Sequence, residues 1–320
     1  MIILNLISSK RRIWYIIMNF FSTTHLKPST YKAYNSHVNR WLTLFPPEQQ
    51  SLSFLYTHPN YSVVLLRKHL DTTQHNNPAM VNNFIKAIMA AVDANHSMIS
   101  HINDSMLQHA DTRWKELRQI TYQHAYAYRL EQQPSPGQAL KSGSTLTLAE
   151  LIQLRDALSD GSIQKLLIGF YTHIPPVRAD YFATQILPFG ELPTKPNYIF
   201  HEKGKSRLVI TDFKTSKIYK EISHDLPEEL HRQLVLSLAS SPRTYLFVNK
   251  NGEPFTRNGF TKWAGEQLFQ LSQKGLTLTM LRHIYISSLD FNSPPSVLIE
   301  IGKKMGHQLS QQMLYKWKSV

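Results

Sequence analysis

The sequence predicts a mainly α protein with a small β-sheet, an α+β fold in two parts. Three observations lead there. Before residue 140, apolar residues recur at helical spacing and no strand-type alternation appears. A stretch rich in Pro, Gly and Ser, "EQQPSPGQALKSGS" at 131–144, then breaks the pattern. Beyond it, short β-type runs alternate with helical segments.

Residues 1–28 form an extension ahead of the first helix. "MIILNLI" and "IWYIIMNFF" within it are apolar, but Lys10, Arg11 and Arg12 split them. Neither reaches the roughly 18–20 residues of a membrane span. The charges lie inside the apolar stretch rather than before it, which argues against a secretion signal. Met18 is a second candidate start, which would make 1–17 an upstream extension. Helical segments then follow over 29–130. In "STYKAYNSHVNRWL", 29–42, Ser29 or Thr30 can cap a helix whose stripe is Tyr34, Val38, Trp41 and Leu42. Lys32 and Arg40 lie away from that stripe. "AMVNNFIKAIMAAV" puts Val81, Phe84, Ile85, Ile88 and Met89 on one face, and "DTRWKELRQITYQHAYAYRL" reads as a third helix.

The span 131–144 is a linker, and 145–320 is the second domain. Thr147 and Glu150 form a capping box for "LAELIQLRDAL". "RLVITDF" and "IYKEISH" read as two strands joined by "KTSK". "TYLFV" reads as a third, before an Asn-Gly turn at 251–252. Helices continue to the C-terminus. Near it, Leu309, Met313 and Trp317 recur every four residues and predict a buried stripe that leaves Tyr315 off it.

Composition narrows the function. Hydrophobic content is 42%, that of a folded chain. Lys plus Arg is 35 against 22 for Asp plus Glu, a net charge of +13. Residues 1–142 hold 14 basic and 7 acidic side chains, and 143–320 hold 21 and 15. A basic tail would leave one half neutral, so two basic halves suit a polyanion gripped from two sides. The absence of cysteine excludes disulfides, thiol chemistry and thiolate-bound zinc. An intracellular location, not secreted and not in a membrane, is the expectation.

Several chemistries lack their residues. A phosphate-binding loop would need glycine where Ile199 stands, five residues before Gly204-Lys205-Ser206. No zinc-protease or calcium-loop pattern occurs, and carboxylates do not cluster as for a two-metal site. Metal-free cleavage of a phosphodiester instead requires guanidinium groups for the non-bridging oxygens, a proton donor for the leaving oxygen and a hydroxyl nucleophile. The second domain supplies these in order. "THIPPVRADY" carries Arg178, "DFKTSK" carries Lys214, "TLTMLRHIYIS" carries Arg282, "MGH" carries His307 and "LYKW" carries Tyr315.

This order resembles the tyrosine recombinase, or phage integrase, family. There an arginine follows an early catalytic-domain helix, a lysine sits on a β-hairpin, and a His-x-x-Arg box precedes a Gly-His pair and the nucleophilic tyrosine. Arg282 and His307 are 25 residues apart, and His307 and Tyr315 are 8 apart. The resemblance covers roughly 145–320. "IPPVRADY" and "FKTSK" look most like the recombinases of large eukaryotic DNA viruses and related mobile elements. Two positions depart from the pattern: Thr279 replaces the first histidine of the box, and Tyr181 stands where glutamate is usual.

The resemblance implies a helical DNA-binding domain over 29–130 and a catalytic domain over 145–320. It implies site-specific cutting and rejoining of duplex DNA through a 3′-phosphotyrosyl intermediate, by a homotetramer on two duplexes, with no cofactor. Tyr315 would be the nucleophile, Arg178, Arg282 and Thr279 phosphate ligands, Lys214 the general acid and His307 the proton acceptor. Lys32, Arg40, Lys86, Lys217 and His283 are further candidates for DNA contact. Two alternatives stand beside this: a type IB topoisomerase using the same chemistry on one duplex, and a DNA-binding protein without catalysis.

Overall fold

The computed structural model describes residues 2–4, 15–17, 19–21, 26, 28–73, 77–131 and 146–317. The chain divides into two compact units, 1–131 and 132–320. The stretch read as a linker lies, apart from Glu131, outside the described residues.

The first unit is built on five helices: α1 (Pro28–Leu42), α2 (Leu52–Thr57), α3 (Pro59–Thr72), α4 (Pro78–Ala94) and α5 (Asp104–Leu130). Side-chain caps set several starts: Ser51, Asn77 and Asn103 accept the N–H of Phe54, Ala79 and Met106. The apolar stripes meet around two tryptophans. Trp41 and Trp114 cross edge to face with centroids 5.7 Å apart, and each indole N–H finds a main-chain carbonyl, Ser62 and Tyr56 respectively. Val38, Phe84, Ile85 and Ile88 complete this core, as their spacing predicts. Phe20 and Phe21, set ahead of the first helix by the sequence reading, are also packed in it. The unit is not purely helical. Strands β1 (Ile2–Leu4) and β2 (Tyr15–Ile17) pair antiparallel, where alternation had predicted none. Uninterrupted apolar runs hide a strand from a test based on alternation.

The second unit wraps helices around a four-stranded sheet in the order β3 (Gln185–Pro188), β4 (Asn197–Glu202), β5 (Lys205–Ile210), β6 (Ile222–Asp225). The first pair is parallel and the others antiparallel. Helices α6 (Leu148–Asp156) and α7 (Ile163–Thr172) precede the sheet. The capping box at Thr147 and Glu150 forms as predicted. A single helical turn, α8 (Ser216–Tyr219), stands between β5 and β6. After the sheet come α9 (Glu228–Ser240), α10 (Arg257–Ser272), α11 (Leu278–Ser287), α12 (Pro295–Lys304) and α13 (Leu309–Tyr315). Almost every side chain of α7 is buried, so this helix forms the centre of the unit.

Three sequence expectations change here. The hairpin exists, but β5 ends at Ile210 because the Asn197 amide oxygen accepts the N–H of Thr211 and Asp212. The connection to β6 is therefore longer than "KTSK", with Lys214 in a turn and Lys217 in α8. "TYLFV" makes only isolated bridges, Tyr245 to Gln185 and Val248 to Pro254, while β3 and β4, unread in the sequence, supply the other two strands of the sheet. Finally, α13 stops at Tyr315, so Trp317 leaves the helical stripe. Met313 is 43% exposed, and Gln312 is the buried residue of that helix.

Candidate active site

The loop after α7, the turn after α12 and helix α13 converge on Arg282 of α11. Arg282 on α11 is fully buried. Its Nε donates to the Pro176 carbonyl at 3.1 Å and its Nη2 to the Met305 carbonyl at 3.2 Å. Its Nη1 has no partner among the described residues, and no carboxylate pairs with it. Burial and the neighbouring Arg178 charge pull the guanidinium down to about 10, so it stays cationic at neutral pH. A buried cation held by two neutral carbonyls, with one N–H edge open, is poised for an anion.

The two bonds from Arg282 also tie the site's backbone together. One reaches the loop after α7 that carries Arg178, whose carbonyl accepts the Tyr171 hydroxyl at 2.7 Å. Arg178 is half-buried and does not pair with Asp180. That carboxylate, 1% exposed, takes Arg257 at 2.6 Å. Tyr181, the residue in the usual glutamate position, is buried and donates to the Phe170 carbonyl at 3.1 Å. It supports the chain rather than the Arg178 side chain.

The other bond reaches the turn after α12, which presents His307. Gly306 makes that turn with φ of +70°, and a Cβ there would stand 3.2 Å from Ile222 Cδ1 and from the Phe213 ring. The main-chain N–H of His307 donates to the Gly302 carbonyl at 2.9 Å. The imidazole is 4% exposed, and neither ring nitrogen has a hydrogen-bond partner among the described residues. Burial, then the Arg282 charge, push it down to about 3, so it is neutral.

Tyr315 closes the group. Its ring lies 5.6 Å from the His307 ring at 13°, and the Arg282 guanidinium stands 5.3 Å from its centroid. His283 packs beside it, its Nδ1 donating to the Tyr315 carbonyl at 2.6 Å and its ring stacking on Tyr315 and on Trp317, each at 4.5 Å. Burial and Arg282 hold His283 down to about 4.

The fold is similar to that of solved structures. A lambda integrase (75–356) dimer bound to a COC′ core site is similar over 91% of this chain and 90% of its own, at 11% identity, with a TM-score of 0.53. A lambda integrase tetramer bound to a Holliday junction is similar over 93% and 76%, at 12% identity and a TM-score of 0.53. The chain has the tyrosine-recombinase fold. A XerA recombinase structure also matches, at 16% identity over 91% of this chain and 87% of its own, with a TM-score of 0.39. No protein-family model matches, and no curated protein does.

On this recombinase fold, Arg178, Arg282, His307 and Tyr315 come together, and the charge of Arg178 acts on both Arg282 and His307. Lys214 is exposed in the turn after β5. Its neighbour Thr215 donates through Oγ1 to the Gly306 carbonyl at 2.6 Å, so the turn is pinned beside His307. The sequence reading missed Thr215, because nothing local shows where its hydroxyl reaches. Thr279 is exposed on α11, one turn before Arg282. Lys217 is exposed on α8. His283, a candidate for DNA contact, packs against the Tyr315 and Trp317 rings and holds the Tyr315 carbonyl. In the first unit Lys32 and Arg40 are exposed, with Arg40 3.1 Å from His69, and Lys86 is half-buried.

Proposed function

We propose that the protein is a site-specific DNA recombinase that cuts and rejoins duplex DNA through a 3′-phosphotyrosyl intermediate. One observation carries the reading: an uncompensated buried arginine and a neutral histidine, both with open nitrogens, are stacked against a tyrosine on a recombinase fold. The solved lambda integrases with this fold are bound to a core site and to a Holliday junction. A phosphodiester entering the site meets Arg282 Nη1 and Arg178, which bind the non-bridging oxygens. Burial depresses His307 most, and the phosphate charge offsets the further part that comes from Arg282 and Arg178, making the imidazole a better base. Tyr315 Oη loses its proton to His307 and attacks phosphorus. The phosphorus–5′-oxygen bond breaks, and the leaving oxygen takes a proton from Lys214. The bond energy is kept in the phosphotyrosine, so the step consumes no nucleotide. A 5′-hydroxyl of a second duplex reverses the step. Four protomers would serve two duplexes, and Thr279 would offer one hydrogen bond to the phosphate.

The test is covalent capture. Duplexes selected by the protein from a randomised pool are nicked near candidate cleavage positions, so that the cut strand's short end diffuses away. The parent chain should yield a protein–DNA adduct, and Tyr315→Phe none, with duplex affinity within about twofold of the parent. Relaxation of supercoiled plasmid with no strand exchange between duplexes would make the protein a topoisomerase. No adduct from the parent on any selected duplex would leave a DNA-binding protein.

A further inference from the structure

The helix α5 carries a face with no part in the site above. Lys115, Gln119, Tyr122, Tyr126 and Arg129 follow one another by four, three, four and three residues, so they stand in one row, with Arg118 beside it. Tyr122 and Tyr126 are 54% and 45% exposed. Their rings are nearly parallel, 15° apart, with centroids 6.4 Å from each other. Helix α4 faces the start of this row and adds Asn82 and Lys86. Together they border a cleft of about 380 Å³ lined by Asn82, Lys86, Lys115, Arg118, Gln119 and Tyr122.

The cleft lacks its counter-charge. Lys115 is ion-paired with Asp111 at 2.6 Å, but among the described residues Lys86, Arg118 and Arg129 pair with no carboxylate. Burial, then the Arg118 and Arg129 charges, hold Lys86 below the usual lysine range. Asn82 is 3% exposed, and its Oδ1 has no hydrogen-bond partner among the described residues. A buried acceptor left open in a cationic cleft calls for a ligand that donates a hydrogen bond as well as carrying negative charge.

An occupant must therefore offer anions for three cations, flat faces for two rings and an N–H for Asn82. A duplex offers phosphates, but its base faces are stacked inside. An acidic peptide offers carboxylates without two flat groups in register. A single strand offers all three: phosphates, free base faces and base N–H groups, the ring N–H of thymine among them. The two exposed, near-parallel rings offer flat platforms on which unpaired bases can stack. We propose that the α4–α5 face of the first unit binds single-stranded nucleic acid. Tyr122 and Tyr126 stack on unpaired bases, and Lys86, Arg118 and Arg129 hold the phosphates. This goes beyond the recombinase reading, whose substrate is a duplex, and does not depend on it.

The test uses the full chain carrying Tyr315→Phe, so that no covalent capture enters. Fluorescence anisotropy compares a labelled oligothymidine of about 16 nucleotides with a blunt duplex of the same length. Tyr122→Ala with Tyr126→Ala should weaken oligothymidine binding at least tenfold and change duplex binding by no more than about twofold. Tyr122→Phe with Tyr126→Phe should keep parental affinity, since the ring faces remain. Both tyrosines are exposed, and circular dichroism checks that the variants fold. Arg118→Gln with Arg129→Gln should flatten the salt dependence of oligothymidine binding by about two counterions. The proposal fails if the parent does not bind oligothymidine, or if the alanine pair binds it as tightly as the parent. Equal loss of both ligands also overturns it and makes the face a duplex contact.

Discussion

The Tyr315 ring and carbonyl are held from one side by a single residue. His283 takes the carbonyl with Nδ1 and stacks its ring on the phenol, and the depressed imidazole stays neutral while doing so. The lysines are the opposite case: Lys214 and Lys217 are both exposed and three positions apart, and only their setting separates them. Lys214 adjoins the Thr215 bond to Gly306, whereas Lys217 lies within α8. Lys214 is the general acid in the mechanism proposed above. A substrate with sulfur in place of the leaving 5′-oxygen departs without a proton. Lys214→Ala should cleave that substrate far faster than the oxygen one, at least a hundredfold, in line with the usual worth of general acid catalysis. Lys217→Ala should show no preference. Rescue at Lys217 in place of Lys214 would move the acid.

Among the elements, the junction of the β5–β6 turn with the α12–α13 turn positions the site. Gly306 needs its left-handed backbone and the space that Ile222 and Phe213 leave it. Gly306→Ala should cost roughly 1–3 kcal/mol in urea unfolding. Thr215→Val removes the 2.6 Å bond to the Gly306 carbonyl and should cost about 1 kcal/mol. Because that bond joins the Lys214 turn to His307, Thr215→Val should also slow adduct formation at saturating DNA. An unchanged cleavage rate alongside the stability loss would show that the two turns need not be joined for chemistry.

For the whole molecule, buried neutral histidines set the response to pH. Burial holds His224 and His283 down to about 4 and His307 to about 3. In the unfolded chain each titrates near 6.5. Between that value and the folded one, the unfolded state binds the proton and the folded state does not. Stability therefore rises with pH through this window and is lost on acidification below about 6.5, by up to roughly 2 kcal/mol per histidine at pH 5. The urea midpoint should be steady from pH 8 to 7 and fall from 6.5 to 5. A flat midpoint over that lower range would mean that these rings are not buried as neutral groups. The charge of +13 makes a second whole-molecule prediction. Duplex affinity should fall steeply with salt, as counterions are released from many phosphates. A weak salt response would point away from DNA.

What is local was legible in the sequence. Helical stripes such as Val38, Trp41 and Leu42, the Thr147–Glu150 cap, and the order and spacing of Arg178, Lys214, Arg282, His307 and Tyr315 are relations among near neighbours or a fixed succession. These survive translation into three dimensions because helix period and capping depend on adjacent residues. The tertiary structure alone decided the rest. That β3 and β4 supply the sheet while "TYLFV" does not depends on which distant strand offers an edge. That β5 ends at Ile210 depends on the side chain of Asn197, 14 residues before Thr211. That Arg257 takes Asp180, which therefore does not pair with Arg178, depends on a residue 77 positions away. That Arg282 is buried with no counter-ion among the described residues depends on carbonyls 106 and 23 residues distant. Burial and pairing are properties of such long-range contacts, and no local pattern encodes them.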